Sequence, residues 1–198
     1  MRRRSNAYHI SILAVLIAIV IIQNVVPFFG YIPILGLSLT TIHVTVIVAA
    51  VVLGPKDGAI VGAAWGLIDW LRAFIAPTSA LAPLVFTNPL VSVVPRILIG
   101  VVAGWVFIML KKRVSTPLSL TLAGVAGSLT NTLLVLGLIG TLYRHAAAGF
   151  YQVNLSKLMP YILGIVGTNG VPEAILAGVL VPLIGGALLR YQHGTGRI

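Results

Sequence analysis

The sequence has almost no acid. Across 198 residues there are three carboxylates, Asp57, Asp69 and Glu173, and charged residues of both signs make up only 8%. A soluble domain carries roughly a quarter of its residues as charge, so this chain cannot cover a globule with water-compatible surface. Cysteine is absent, which excludes disulfides, a thiolate nucleophile and a Cys-based metal site. There is no Gly-x-x-x-x-Gly-Lys-Ser/Thr loop, so ATP hydrolysis by that route is excluded. The His-Glu-x-x-His and Gly-x-Ser-x-Gly patterns and any paired-carboxylate cluster for membrane hydrolysis are missing too. No catalytic role, cofactor or metal is predicted, and three acids leave little material for a proton or sodium relay.

What the chain has instead is apolar length. Hydrophobic residues make up 59% of it, and the mean hydropathy is +1.09. That places it in the membrane class, with the lipid bilayer as its surroundings. The net charge of +10 would suit nucleic acid, but the basic residues sit in short clusters between apolar runs. Such clusters are the mark of membrane topology, so no nucleic-acid partner is predicted. Arg2, Arg3 and Arg4 followed by Tyr8–Val26 imitate a signal peptide. The apolar run is long and no small-residue cleavage pattern follows it, so it reads as a retained first span.

A helix needs about 20 apolar residues to cross roughly 30 Å of hydrocarbon. The predicted spans are Tyr8–Val26, Leu39–Leu53, Ala59–Ile75, Leu90–Leu110, Leu118–Leu142 and Leu158–Leu189. They give an all-α fold, a compact bundle of six transmembrane helices forming a single domain over residues 1–198. Gly167-Thr168-Asn169-Gly170-Val171-Pro172-Glu173 should kink or unwind the last span. With the N-terminus inside, Arg2, Arg3, Arg4, Lys56, Lys111, Lys112, Arg113, Arg190 and Arg197 fall on the cytoplasmic side. Arg72, Arg144 and Lys157 fall outside. The imbalance predicts both termini cytoplasmic. Inner loops are short, Gly54–Gly58 and Lys111–Pro117, whereas outer connections at Pro27–Ser38, Ala76–Pro89 and Tyr143–Lys157 are longer. Long outer loops suit a solute site that opens outward.

Ionisable and amide groups at bilayer depth are functional candidates, because each costs several kcal/mol unless it meets a partner or water. Arg96 shares a helical face with Ser92, Gly100 and Gly104, and that small, polar face should turn into the bundle. Its guanidinium suits a solute carboxylate, or else a structural pair with Glu173 or backbone carbonyls. Asn131, aligned with Gly124, Gly127 and Ser128, can donate and accept towards hydroxyls or amides, or bond another helix. Asn169 and Glu173 flank the predicted break, where freed backbone groups can line a cavity. Trp65, Asp69 and Arg72 lie at helical spacing near the outer end of the third span. Trp65 and Asp69 are candidates for the site, with an interfacial Asp69–Arg72 ion pair as the alternative. His43 and Asn88, at outer span ends, are candidates for a solute mouth or for helix-end hydrogen bonding. Gly58, Gly62 and Gly66 recur every fourth residue as a close-packing stripe, and Ala14 with Ala18 makes a small-xxx-small patch able to seat another membrane subunit.

Two segments carry a resemblance. Thr41-Ile42-His43 through Leu53-Gly54-Pro55-Lys56-Asp57-Gly58, continuing to Gly66-Leu67-Ile68-Asp69, is similar to the substrate-binding S components of energy-coupling-factor vitamin transporters. So is Asn88-Pro89-Leu90-Val91-Ser92-Val93-Val94-Pro95-Arg96 with Gly100. The resemblance implies a bacterial cell-membrane subunit of an ABC-type importer that works with a transmembrane T component and two cytoplasmic ATPases. It implies that Ala14 and Ala18, matching a first-span Ala-x-x-x-Ala pattern, contact the T component. It also implies an outer-face solute site under the loops after the first and third spans, and toppling of the subunit in the membrane to release solute inside. The Asn88–Arg96 segment and Thr168–Glu173 look most like the pantothenate-specific branch. Pantothenate's carboxylate, hydroxyls and amide match Arg96, Asn131 and the other polar candidates. Folate or another vitamin, and a self-sufficient secondary carrier or channel, stand as the alternatives.

Overall fold

The computed structural model describes residues 2–26, 29–34, 37–77 and 80–194. Arg197, assigned above to the inner side, and parts of the connections after the first and third spans lie outside the described residues. The first helix, α1, runs Arg2–Val25. An antiparallel hairpin follows, β1 Tyr31–Ile34 and β2 Leu37–Thr40, with Tyr31 opposite Thr40 and Ile34 opposite Leu37. The next helices are α2 Ile42–Leu53 and α3 Pro55–Ile75. Short turns α4 Ala82–Val85 and α5 Pro89–Ser92 lead into α6 Val94–Leu110. The chain continues through α7 Thr116–Leu142, α8 Arg144–Tyr151, α9 Leu158–Ile165 and α10 Val171–Gly194.

Four stretches have the length and apolarity of membrane spans: Pro55–Ile75, Pro89–Leu110, Thr116–Leu142 and Leu155–Gln192. The apolar part of α1, His9–Val25, and the 12-residue α2 are shorter. Together they form a six-helix membrane bundle. α2 spans about 18 Å at ~1.5 Å per residue, well short of the hydrocarbon thickness. It is the bundle's central post: Ile42, Val44 and Val46–Val51 are all buried, packed by α1, α3, α6, α7 and α10. Large apolar residues elsewhere point outward, including Val15, Leu71, Phe74, Trp105, Leu133 and Leu183. Lipid tails, not water, are the solvent that suits such a surface.

Three boundaries differ from the sequence-based expectation. The second span was expected from Leu39, but Leu39 and Thr40 form β2, because an apolar strand reads like an apolar helix in hydropathy. The inner Gly54–Gly58 loop shrinks to one residue: Gly54 takes φ +113°, open to glycine without strain, and Pro55 starts α3 immediately. Pro fits there because the N–H it lacks is unneeded in a first turn. The predicted disturbance in the last span is a π turn over Val166–Gly170, closed by the Val171 N–H donating to the Val166 carbonyl. Pro172 has no N–H for the Thr168 carbonyl, and the chain absorbs the mismatch by widening one turn rather than breaking.

Glycines set the spacing between α3 and α6. A Cβ on Gly62 would run into the Arg96 carbonyl, one on Gly66 into Val93, and one on Gly100 into the Gly58 backbone. The predicted stripe therefore acts as a contact surface, letting two backbones approach where larger residues would hold them apart. α7 and α10 meet in the same way at Gly124, which touches the Ala177 backbone.

Candidate functional site

The cavity forms at one end of the bundle, where its two apolar clusters meet. Trp65 belongs to one cluster and Val135 to the other, and both line a cavity of about 210 Å³. α3 contributes Asp69 and Arg72, α6 Arg96, α7 Asn131 and Thr132, and the π turn with α10 gives Asn169 and Glu173. The hairpin adds Tyr31 and Thr40, and Pro77, Ala82 and Phe86 come from the segment after α3.

Arg96 is held by a local accident of sequence. Pro95 cannot donate to the carbonyl four residues back, so the Val91 carbonyl is left free, and Arg96 Nη1 donates to it at 2.8 Å. Nη2 donates to Asp69 Oδ2 at 3.0 Å, an ion pair in which Arg96 is buried and Asp69 nearly so. The guanidinium carbon lies 5.0 Å from the Trp65 ring centre and 5.2 Å from that of Phe86. Two aromatic faces thus add cation–π attraction in a dry setting. Among the described residues Nε has no hydrogen-bond partner, and neither have Asn131 Oδ1 and Trp65 Nε1.

Asp69 is the hub of a wider network. Asn24 Nδ2 donates to Asp69 Oδ1 at 2.7 Å, and the Tyr31 hydroxyl donates to the same oxygen at 3.3 Å. Burial, then the Asp69 carboxylate, pushes the Tyr31 phenol above the usual tyrosine range, so it remains protonated and able to donate. Arg72 Nη1 donates to both the backbone carbonyl and the Oδ1 of Asn24. The expected Asp69–Arg72 pair is not formed. Asp69 faces Arg96 across the glycine-thinned α3–α6 contact, while Arg72 has only neutral partners among the described residues.

Glu173 is not the counter-ion of Arg96 either. Its Oε1 accepts from the Thr40 backbone N–H at 2.7 Å and its Oε2 from Thr132 Oγ1 at 3.4 Å. It ties the hairpin to α10 and α7. With Tyr31 on Asp69 and Thr40 on Glu173, the base of the hairpin is fastened on both sides of the cavity.

Six of the eight sequence candidates line this one cavity: Trp65, Asp69, Arg96, Asn131, Asn169 and Glu173. Asn88 does not. Its Oδ1 accepts from the Leu90 N–H as the N-cap of α5, and its Nδ2 donates to the Tyr143 hydroxyl at 3.0 Å. His43 is fully buried beside the backbone of Thr40 and Glu173, behind the wall rather than in it. Ala14 and Ala18 lie on an exposed face of α1, opposite buried Leu16 and Val20. Tyr31, Thr40, Arg72, Phe86 and Thr132 were not anticipated as site residues. Arg72 had a signal, standing one helical turn beyond Asp69. The hairpin pair had none beyond an aromatic, proline-containing connection.

A family model described as "ECF transporter, substrate-specific component" matches residues 9–185. The chain belongs to this family. It is a multi-pass bacterial cell-membrane protein and a transporter's substrate-specific component, not an enzyme. Among curated proteins, this S component is 33% identical over 186 residues to the "Pantothenate transporter PanT" of Leuconostoc mesenteroides, covering 90% of the chain and 91% of the relative. It is 32% identical over 207 residues to the "Pantothenic acid transporter PanT" of Lactococcus lactis, covering 98% and 100%.

Proposed function

We propose that this S component captures pantothenate at the outer face and delivers it inward together with a T component and two cytoplasmic ATPases. The observation carrying the proposal is that Arg96 Nε and Asn131 Oδ1 are two of three buried polar atoms in the cavity lining that have no partner among the described residues, Trp65 Nε1 being the third. A buried polar group without a partner costs about 1–3 kcal/mol, so a ligand that satisfies both gains affinity from their desolvated state. Pantothenate offers a carboxylate to the cationic side of the cavity. Its hydroxyls and amide suit Asn131, Asn169 and Thr132, and Trp65, Phe86 and Val135 suit its methylated carbons. Arg72 joins Arg96 as a carboxylate ligand, since no acid neutralises it. The names of the two relatives favour this vitamin over folate.

The same proposal places both termini in the cytoplasm within one transmembrane domain. Lys56, Lys111, Lys112, Arg113 and Arg190 lie towards the bundle end opposite the cavity, the end that would face the cytoplasm. Ala14 and Ala18 would then offer their exposed face to the T component.

A thermal-shift panel of vitamins on the purified chain tests the solute. Pantothenate at 100 times its dissociation constant should add about 2.7 kcal/mol of stability. Stabilisation by folate or another vitamin, with no response to pantothenate, would replace the assignment.

A further inference from the structure

At the end of the bundle away from the cavity, α6, α7 and α10 enclose a second concavity, an open groove of about 910 Å³. Its walls are apolar, with Phe107, Leu120, Pro182 and Leu183 among them, and its rim carries Lys111, Lys112 and Arg190. All three cations are exposed. Among the described residues none pairs with an acid: Asp57 is bound to His9, Asp69 to Arg96, and Glu173 to Thr40 and Thr132. Lys111 Nζ instead sits 5.8 Å from the Phe107 ring centre, folded over the apolar mouth. A second feature converges on the rim. Thr116 and Pro117, which open the 27-residue α7, line the same groove, and Ser115 makes no side-chain cap. The positive end of a long helix, with uncapped N–H groups, is thus added to three unpaired cations.

Charge at the rim and hydrocarbon walls beneath it match one chemistry, a phosphate head group attached to acyl chains. We propose that this groove is a binding site for an anionic phospholipid, its phosphodiester at Lys111, Lys112, Arg190 and the α7 N-terminus and its chains along Leu120 and Leu183. Basic clefts between helices at the membrane surface take such head groups by charge, while the chains lose no contact with hydrocarbon. Arg96 to Lys111 is 15 residues of largely helical chain, about 22 Å at ~1.5 Å per residue. Lipid and solute are therefore held independently, and the proposal does not rest on the solute's identity.

The test is native mass spectrometry of the full chain in detergent, titrated with phosphatidylglycerol or phosphatidylcholine and no vitamin present. The wild-type chain should retain phosphatidylglycerol in preference to phosphatidylcholine. Each cation near the surface is worth about fivefold, so Lys111→Gln/Lys112→Gln/Arg190→Gln together should weaken retention on the order of a hundredfold. Arg144→Gln/Lys157→Gln, which removes the same kind of charge at the other end, should leave it unchanged. Gly186 lines the groove, and a Cβ there meets only Leu120, at 3.8 Å, so Gly186→Leu, with its unfolding temperature checked against the wild type, puts bulk in the groove and should weaken retention while all the cations stay. Equal retention of the two lipids, or unchanged retention in the triple variant, overturns the site. Displacement of phosphatidylglycerol by millimolar inorganic phosphate would make it a free-phosphate site and overturn the lipid. Loss of partner-driven uptake in the triple variant with lipid retention intact would assign the cations to a protein partner instead, and overturn it equally.

Discussion

Arg96 and Asp69 form a buried pair, and that changes what substitution at either will do. Removing Arg96 alone strands a buried carboxylate, and breaking such a pair by deleting one partner costs about 3–5 kcal/mol. Arg96→Ala should therefore unfold at lower temperature even without solute. Arg96→Ala/Asp69→Asn should recover most of that stability, because an amide in place of the carboxylate keeps the bonding to Asn24 and Tyr31 without a charge. Affinity should behave differently. Both variants should bind pantothenate roughly 10–100-fold more weakly, the range of one lost hydrogen bond to a charged group. They should bind its carboxamide analogue nearly as well as the wild type does. Equal losses for acid and amide, measured by calorimetry on the stable double variant, would make Arg96 purely structural. Arg72→Gln gives an independent reading. Its partners are neutral, so it should lower affinity for the acid while shifting unfolding little.

At the level of elements, the contact between α3 and α6 decides where that pair sits. Gly62 abuts the Arg96 carbonyl, so a methyl there must push the two helices apart at the very residue that faces the cavity. Gly62→Ala should cost about 1–3 kcal/mol as overpacking and weaken solute binding with it. Gly137→Ala, where a methyl meets nothing, should cost neither. This part of the fold was legible in sequence because a glycine every fourth residue reports one helix face directly. The proline–glycine disturbance in the last span was legible as a place, though not as a π turn, since several backbone solutions relieve the same missing N–H. Pairing across elements was hidden. Asp69 and Arg72 are neighbours along one helix, and nothing in their spacing says that Asp69 crosses to Arg96 while Arg72 turns to Asn24. The hairpin was hidden for another reason: β2 is followed by α2 after a single residue, so Leu39 and Thr40 were counted into the apolar run of that span. Its fastening makes a prediction of its own. Glu173→Ala removes the acceptor of the Thr40 N–H, so amide exchange at Thr40 should speed up by roughly tenfold or more. Solute should also leave faster. Unchanged exchange would mean that β1 alone holds the hairpin.

The whole molecule has a place to hold a solute but little with which to drive one. Each of its three acids is engaged in the fold: Asp57 with His9, Asp69 with Arg96, Asn24 and Tyr31, and Glu173 with Thr40 and Thr132. A secondary carrier needs a group that binds and releases an ion as the site changes sides, and such groups in membrane spans are nearly always ionisable. Here the cavity's acids are fixed at one end of the bundle. Purified and reconstituted alone, the chain should bind pantothenate yet show no uptake under a proton or sodium gradient. Adding a T component and its ATPases should restore uptake with ATP. The proposal puts the coupling on the exposed face of α1. Ala14→Trp/Ala18→Trp places bulk at two positions that are exposed among the described residues, so vitamin binding and thermal stability should stay at wild-type values while ATP-driven uptake falls to background. Gradient-driven uptake by the chain alone would overturn dependence on partners. Full uptake by the tryptophan variant would leave that dependence standing and move the contact off α1.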